Sequence, residues 1–370
     1  METQEYPREG KHICIDYKNS LVSLIASIEA RFGLCPAHKT LPVLDGYLAR
    51  KYRNVVLLLF DGMGTNILEK HLPPGSFLRK HLVKTISSVF PPTTTAATTT
   101  LISGKSPIEH GWLGWSLWFE KIGKTVNLYP NTSHGSQAAD FHVADRFLPY
   151  ETVFERLERA GIPAYFVSPF SEPRAKSFDE LFVKVKELSK VAAPKYIYGY
   201  SPLPDYDMHD LGTSHPAIRR HIEDIDSGVE KLAAELSDSI IIVTADHGMT
   251  DTDFVFMDDY PEVKDCLLRE PSVEGRAMSL FTKPGMKNEF AARFNRAYED
   301  IYDLVPHEEA MRLFGDGNPH PLCESFIGDF LATAKGRTSL GFDYDPDPLR
   351  AAHGGGTREE AEIPLIIIRK

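Results

Sequence analysis

Short, unbroken apolar runs alternate with amphipathic stretches over the first two thirds of the chain. RNVVLLLF (53–60) ends in DGMG, and TISSVF (85–90) runs into PPTTTAATTTLISG. ETVFERLERAG (151–161) has helical spacing with a glycine stop and leads into IPAYFVSPF (162–170). FDELFVKVKELSKV (178–191) precedes KYIYGYSP (195–202), and HPAIRRHIEDIDSGVEKLAAELSD (215–238) precedes SIIIVTADHG (239–248). Runs with no apolar/polar alternation fit strands covered on both faces, and strands alternating with helices imply a mainly parallel sheet. The predicted class is therefore α/β, a mainly parallel sheet sandwiched by helices.

From about residue 254 the rhythm changes. Residues 254–335 read as a smaller α+β cap insertion, able to form a lid, and residues 1–253 with 336–370 read as the core. HGGGTREEAEIPLIIIRK returns to an apolar strand. TTTAATTT (93–100) reads as a threonine-rich turn and helix start, since threonine is a fair N-cap.

Charge narrows the partners. Lys plus Arg is 41 and Asp plus Glu is 52, a net charge of −11. A nucleic-acid duplex or an anionic membrane needs a positive footprint, so neither is expected as a partner. The longest apolar runs, VVLLLF and PLIII, fall far short of the roughly 20 residues of a membrane helix. The N-terminal METQEYPREGKHICIDYKNS has no apolar signal-peptide region, which sets a cytoplasmic expectation. The four cysteines, Cys14, Cys35, Cys266 and Cys323, form no metal knuckle and read as buried free thiols.

In open α/β sheets ligands collect at the carboxyl ends of the strands. Asp61 follows VVLLLF, and Thr93, Thr94 and Thr95 follow TISSVFPP. Asp205 and His209 lie just past KYIYGYSP, Asp246 and His247 end SIIIVTA, and His353 precedes the last apolar run. Taken singly, an aspartate after a strand is a turn former or cap, and a lone histidine is a satisfied imidazole. Together they put three aspartates, three histidines and a hydroxyl cluster on one sheet edge. Asp205 and His209, four apart, share a helix face. Six Asp and His ligands suit two divalent ions of three ligands each, and two such ions clamp an in-line displacement at phosphorus. Metal coordination would turn a threonine hydroxyl into a nucleophile. A helix N-terminus beside it would hold phosphate oxygens.

These motifs resemble the nucleotide pyrophosphatase/phosphodiesterase branch of the alkaline phosphatase superfamily. FDGMG, FPPTT with TLISG (100–104), PDYDMH, DHGM (246–249) and HGGG match its motifs in order over residues 55–354. The resemblance implies an alkaline phosphatase-like fold and two metal ions. Asp205, His209 and His353 would hold one, and Asp61, Asp246, His247 and the Thr94 oxygen the other. Zinc is the family expectation, and Mn²⁺ accepts the same ligands. It also implies Thr94 as nucleophile, a phospho-threonine intermediate and a small phosphate-ester substrate, nucleotides included.

The chain departs from the family pattern at Ala97, which stands where the family carries a phosphate-binding asparagine. That substitution keeps a phosphomonoesterase or phosphonate hydrolase in view beside the phosphodiesterase. A metal-dependent phosphomutase, suggested by GTREEAEIP (356–364), and a non-catalytic binding module are two further readings. Trp112, Trp115 and Trp118 recur at the helical spacing of three. They read as a core or interface stripe, with an aromatic wall for a leaving group as the sharper alternative. Lys121, Lys124 and His134 read as a solvated face that could also meet a phosphate.

Overall fold

The computed structural model describes residues 13–370. Most of the N-terminal segment read for a signal peptide therefore lies outside the described residues. Six strands form the core sheet: β1 (Asn54–Phe60), β2 (Leu82–Ser87), β3 (Ala164–Val167), β4 (Lys195–Ser201), β5 (Ser239–Thr244) and β6 (Glu362–Arg369). Their spatial order is β2-β6-β5-β1-β4-β3. β1 pairs in parallel with β4 and β5, and β3 with β4, while β6 runs antiparallel between β5 and β2. Every residue of β1, β4 and β5 is buried, which explains their continuous apolar runs.

Three helices bear on the site or the core beneath it: α1 (Thr94–Ser103), α2 (Asp205–Leu211) and α3 (Pro216–Glu235). α3 starts with Pro216 in its first turn and buries Ile218, Ile222, Ile225, Val229 and Leu232, one stripe at helical spacing. Among the described residues no helix is long and apolar enough to cross a membrane.

The register sends the chemistry to one edge. At the start of β1, Asn54 lies opposite Lys195 and Ser239. Lys195 Nζ donates to Asn54 Oδ1 at 2.6 Å, and Asn54 Nδ2 donates to Ser239 Oγ at 2.9 Å, so that edge is closed by paired polar groups. The opposite edge carries Asp61, Asp205, Asp246 and His247. Because β6 is antiparallel, the segment leading into it, with His353, arrives at that same edge.

A second sheet of eight antiparallel strands lies against this core. It runs from Tyr302–Pro306 through Phe330–Ala334, Ala277–Leu280, Ser272–Glu274, Ser116–Phe119, Lys124–Asn127 and Thr132–Ser133 to Ser136–Gln137. It thus takes in strands from residues 116–137 as well as from the expected 254–335 segment. The two parts meet where Val273 pairs with Ser116. Gly114 permits the junction, since a Cβ there would lie 2.7 Å from the Val273 carbonyl oxygen.

The tryptophans do not form a helical stripe. A four-residue helix, Pro107–His110, stops at Gly111, and the chain goes on into the strand Ser116–Phe119. Trp112 is buried, with Nε1 donating to the Leu148 carbonyl, whereas Trp115 is exposed and Trp118 sits under the Arg269 guanidinium. The four cysteines form no disulfide among the described residues, and only Cys266 and Cys323 are buried; Cys35 is exposed and Cys14 partly so.

Candidate active site

The predicted site residues are placed by strand ends, two helices and the loop that carries His353. Asp61 leaves β1, Asp246 and His247 leave β5, Asp205 and His209 lie on α2, and Thr94 opens α1. The glycines of DGMG and DHGM let the first two of these turns cross. A Cβ on Gly64 would lie 2.4 Å from the Gly248 Cα, so only glycine permits the approach.

All the sequence-predicted residues meet. Thr94 Oγ1 lies 3.2 Å from His247 Nε2 and 3.5 Å from Asp61 Oδ1. His247 Nε2 is 3.3 Å from Asp61 Oδ1 and 3.4 Å from Asp246 Oδ2. On the other side, Asp205 Oδ2 is 3.3 Å from His209 Nε2, and Asp205 Oδ1 is 3.8 Å from His353 Nε2. The imidazoles of His247 and His353 stack with centroids 3.8 Å apart.

The three imidazoles are oriented alike. The Nδ1 atoms of His209, His247 and His353 face the carbonyls of Ala351, Gly248 and Pro92 at 2.8, 2.9 and 3.1 Å. A carbonyl only accepts, so Nδ1 carries a proton and Nε2 is the nitrogen turned into the site, with a lone pair to give whenever the ring is neutral. That is the tautomer of a metal-binding histidine. Two sets have ligand atoms within 4.8 Å of one another: Asp205, His209 and His353, and Asp61, Asp205 and His247. Asp246 holds the turn with one oxygen, which accepts from the amides of Gly62 at 3.1 Å and His247 at 3.0 Å. Its other oxygen, Oδ2, and Asp205 Oδ1 are buried without a hydrogen-bond partner. Orphaned carboxylate oxygens facing histidine lone pairs are what a bound cation satisfies, so the donor set fits a divalent metal.

Electrostatics agree with a site that is strained without positive charge. Burial, and then the nearby Asp205 carboxylate, push Asp61 well above the usual carboxylate range. Burial and the Asp61 charge do the same to Asp246. For Asp205 burial acts upward, but His209 and the other imidazoles outweigh it and hold it low. Burial acts downward on His209, yet Asp205 raises it to about 9. His353 is pushed well below its ordinary value by burial and by His247.

Several neighbours carry no clear mark in the sequence. Tyr200 donates to Asp61 Oδ2 at 2.6 Å. Glu274, from the second sheet, accepts from Thr93 Oγ1 at 2.6 Å and from the Trp115 amide at 2.8 Å. Thr98 and Tyr129 pair through their hydroxyls. A signal for the tyrosines existed: Tyr196, Tyr198 and Tyr200 alternate along β4 and so share one face. Nothing in the sequence marked Glu274.

A cavity of about 550 Å³ opens from Thr94 and Asp61. Its walls include Trp115, Tyr129, Phe166, Phe170, Tyr198 and Tyr206, and among the described residues its only charged lining is Asp61 and Asp205. Trp115 thus serves as the aromatic wall. Lys121, Lys124 and His134 lie elsewhere: Lys121 over the Phe147 ring, Lys124 on the Ala138 carbonyl, His134 near Glu270.

The sequence model of the family described as type I phosphodiesterase / nucleotide pyrophosphatase matches residues 55–356. No curated protein matches the sequence. Among solved structures, the fold is similar to human ectonucleotide pyrophosphatase/phosphodiesterase 5, at 20% identity and TM-score 0.66, covering 85% of this chain and 87% of that one. The murine protein matches at 19% identity and TM-score 0.65, covering 85% and 88%. Phosphonoacetate hydrolase from Sinorhizobium meliloti 1021, in complex with phosphonoformate, matches at 20% identity and TM-score 0.65, covering 86% and 90%. The chain belongs to the type I phosphodiesterase / nucleotide pyrophosphatase family of phosphoric ester hydrolases.

Proposed function

We propose that the protein is a phosphodiesterase that acts through Thr94 on a small ester whose departing group is aromatic or apolar. The observation that carries this reading is the setting of Thr94. Its hydroxyl opens α1, faces Asp61 and His247, and borders a cavity walled by aromatic rings. Asp205, His209 and His353 would hold one divalent ion, and Asp61, Asp246, His247 and Thr94 Oγ1 the other, with zinc as the family metal. Such ions supply positive charge that favours the threonine alkoxide and neutralises the phosphoryl oxygens.

The chain's own groups do the rest. Asp61 Oδ1 accepts the Thr94 hydroxyl at 3.5 Å, and Tyr200 fixes the other oxygen of that carboxylate. Thr94 Oγ1 forms the bond to phosphorus while the bond to the departing oxygen breaks, and that oxygen leaves with the electron pair. Water then removes the phosphoryl group from Thr94. First-turn amides of α1 lack intrahelical acceptors and suit the anionic group.

The walls bear on the substrate. One structural neighbour is an inactive variant of the murine protein in complex with AMP, another a complex of phosphonoacetate hydrolase with phosphonoacetate. A second anionic group on the substrate needs a cation, and none lines this cavity among the described residues. An aromatic group fits the walls without one.

The test compares bis-p-nitrophenyl phosphate, p-nitrophenyl phosphate and phosphonoacetate on zinc-loaded protein, with Thr94→Ala beside it. The diester is expected to be preferred, and Thr94→Ala is expected to abolish turnover while keeping fold and metal content. Faster release from the monoester or from phosphonoacetate would sink the diesterase reading.

A further inference from the structure

The cavity beside Thr94 is lined by the carboxylates of Asp61 and Asp205 and by no cation among the described residues. A phosphoryl group on Thr94 presents several non-bridging oxygens, and the first-turn amides of α1 meet only part of that demand. The residue at position 97 is a buried alanine with no polar atom to give. One turn from Thr94 stands Thr98, and across the cavity mouth from it Tyr129, both lining the cavity with Thr94.

The proton count of this pair is determined. Thr98 Oγ1 donates to the Thr94 carbonyl at 2.7 Å. A hydroxyl has one hydrogen, so in the bond between Thr98 and Tyr129 the tyrosine is the donor. The pair can reverse by rotating two O–H bonds. Thr98 then donates to Tyr129, the Tyr129 proton turns toward the cavity, and the Thr94 carbonyl keeps its helical amide. No side chain has to move. The tyrosine ring is already fixed, edge-on to Trp115 at 6.3 Å and tilted against Trp112 at 5.8 Å.

We propose that the Tyr129 hydroxyl, relayed by Thr98, is the side-chain donor that holds a non-bridging phosphoryl oxygen in this protein. The assignment rests on the hydrolase reading above and adds to it a catalytic residue from a turn between two strands of the second sheet. It also gives the two hydroxyls a common task, since a chain of hydrogen bonds polarises each member toward the anion. A donor aimed where negative charge grows contributes more to the transition state than to the ground state.

Tyr129→Phe removes the donor and keeps the ring. On zinc-loaded protein the variant is expected to lose about 10- to 100-fold in kcat/KM toward bis-p-nitrophenyl phosphate, mostly in kcat. Inorganic phosphate, titrated calorimetrically into the same two proteins, is expected to bind the variant about 10-fold more weakly. Thr98→Val, which breaks the relay and leaves the tyrosine, is expected to give a smaller loss. It is also expected to add little to Tyr129→Phe. Equal phosphate affinity and equal kcat/KM in wild type and Tyr129→Phe would overturn the assignment while leaving the hydrolase reading intact. If zinc-loaded wild type neither binds phosphate nor turns over the diester, the hydrolase reading falls and this assignment with it.

Discussion

Thr93, Thr94 and Thr95 are adjacent in sequence and meet three different surroundings. The Thr93 hydroxyl donates to Glu274, the Thr95 hydroxyl is buried with no partner, and only Thr94 faces Asp61 and His247. That difference makes residue 94, rather than its neighbours, the candidate nucleophile of the proposed function. Glu274, on the far side of Thr93, is raised to about 7, chiefly by burial against two opposing hydrogen bonds. A carboxyl raised on folding contributes stability that is complete below its unfolded value near 4.5 and is lost as pH rises through its folded value. Glu274→Gln keeps the acceptor for Thr93 without the ionisation. In metal-free protein its melting temperature is expected to gain on wild type between about pH 5 and pH 8, read by thermal denaturation across that range. A constant gap would contradict the raised value. His353→Ala is expected to cost about one metal equivalent per chain on the two-ion arrangement, measured by elemental analysis after dialysis. Retention of two equivalents would remove His353 from the ligand set.

Strands and helices divide sharply in how legible they were. The β1, β4 and β5 runs show no apolar/polar alternation because both faces are covered, and α3 shows its buried stripe because only one face is. Such elements carry their surroundings in their own pattern. Most of the candidate site residues were legible for a related reason: they lie just past a strand or open a helix, where a polar residue breaks an apolar run, while His209 showed by its spacing of four from Asp205. The tryptophan segment misled because a spacing of three is helical only if the backbone continues as helix, and Gly111 ends it. The second sheet was half-hidden because its members come from residues 116–137 and 272–334, and short antiparallel strands pair by contacts no local window contains. Glu274 was invisible for the same reason. It reaches Thr93 from 181 positions away.

At the scale of the whole molecule, one buried ion pair joins the two sheets. Arg276, 1% exposed, leads into the second-sheet strand Ala277–Leu280, and its Nε donates to Glu360 Oε1 at 2.6 Å. Glu360 also accepts from the amides of Gly355 at 2.8 Å and Thr357 at 3.0 Å, and its own carbonyl accepts from Gly248 at 2.8 Å. It therefore ties the loop of His353 to the turn of His247. Glu360→Gln leaves a buried guanidinium without its counter-charge. It is expected to cost about 3 kcal/mol, read from urea unfolding. A loss under about 0.5 kcal/mol, the scale of an ordinary surface change, would show that Arg276 finds another partner. The placement of β6 reaches beyond the folded state. Residues 362–369 are made after every other strand yet sit inside the sheet, between β5 and β2. While the chain is being synthesised, β5 has no neighbour on that side and β2 has no sheet to join. The nascent protein therefore spends most of its synthesis with open, apolar strand edges, the condition in which chains pair with the wrong partner. Chaperone demand during synthesis, rather than the stability of the finished enzyme, would then set how much of this protein a cell can make.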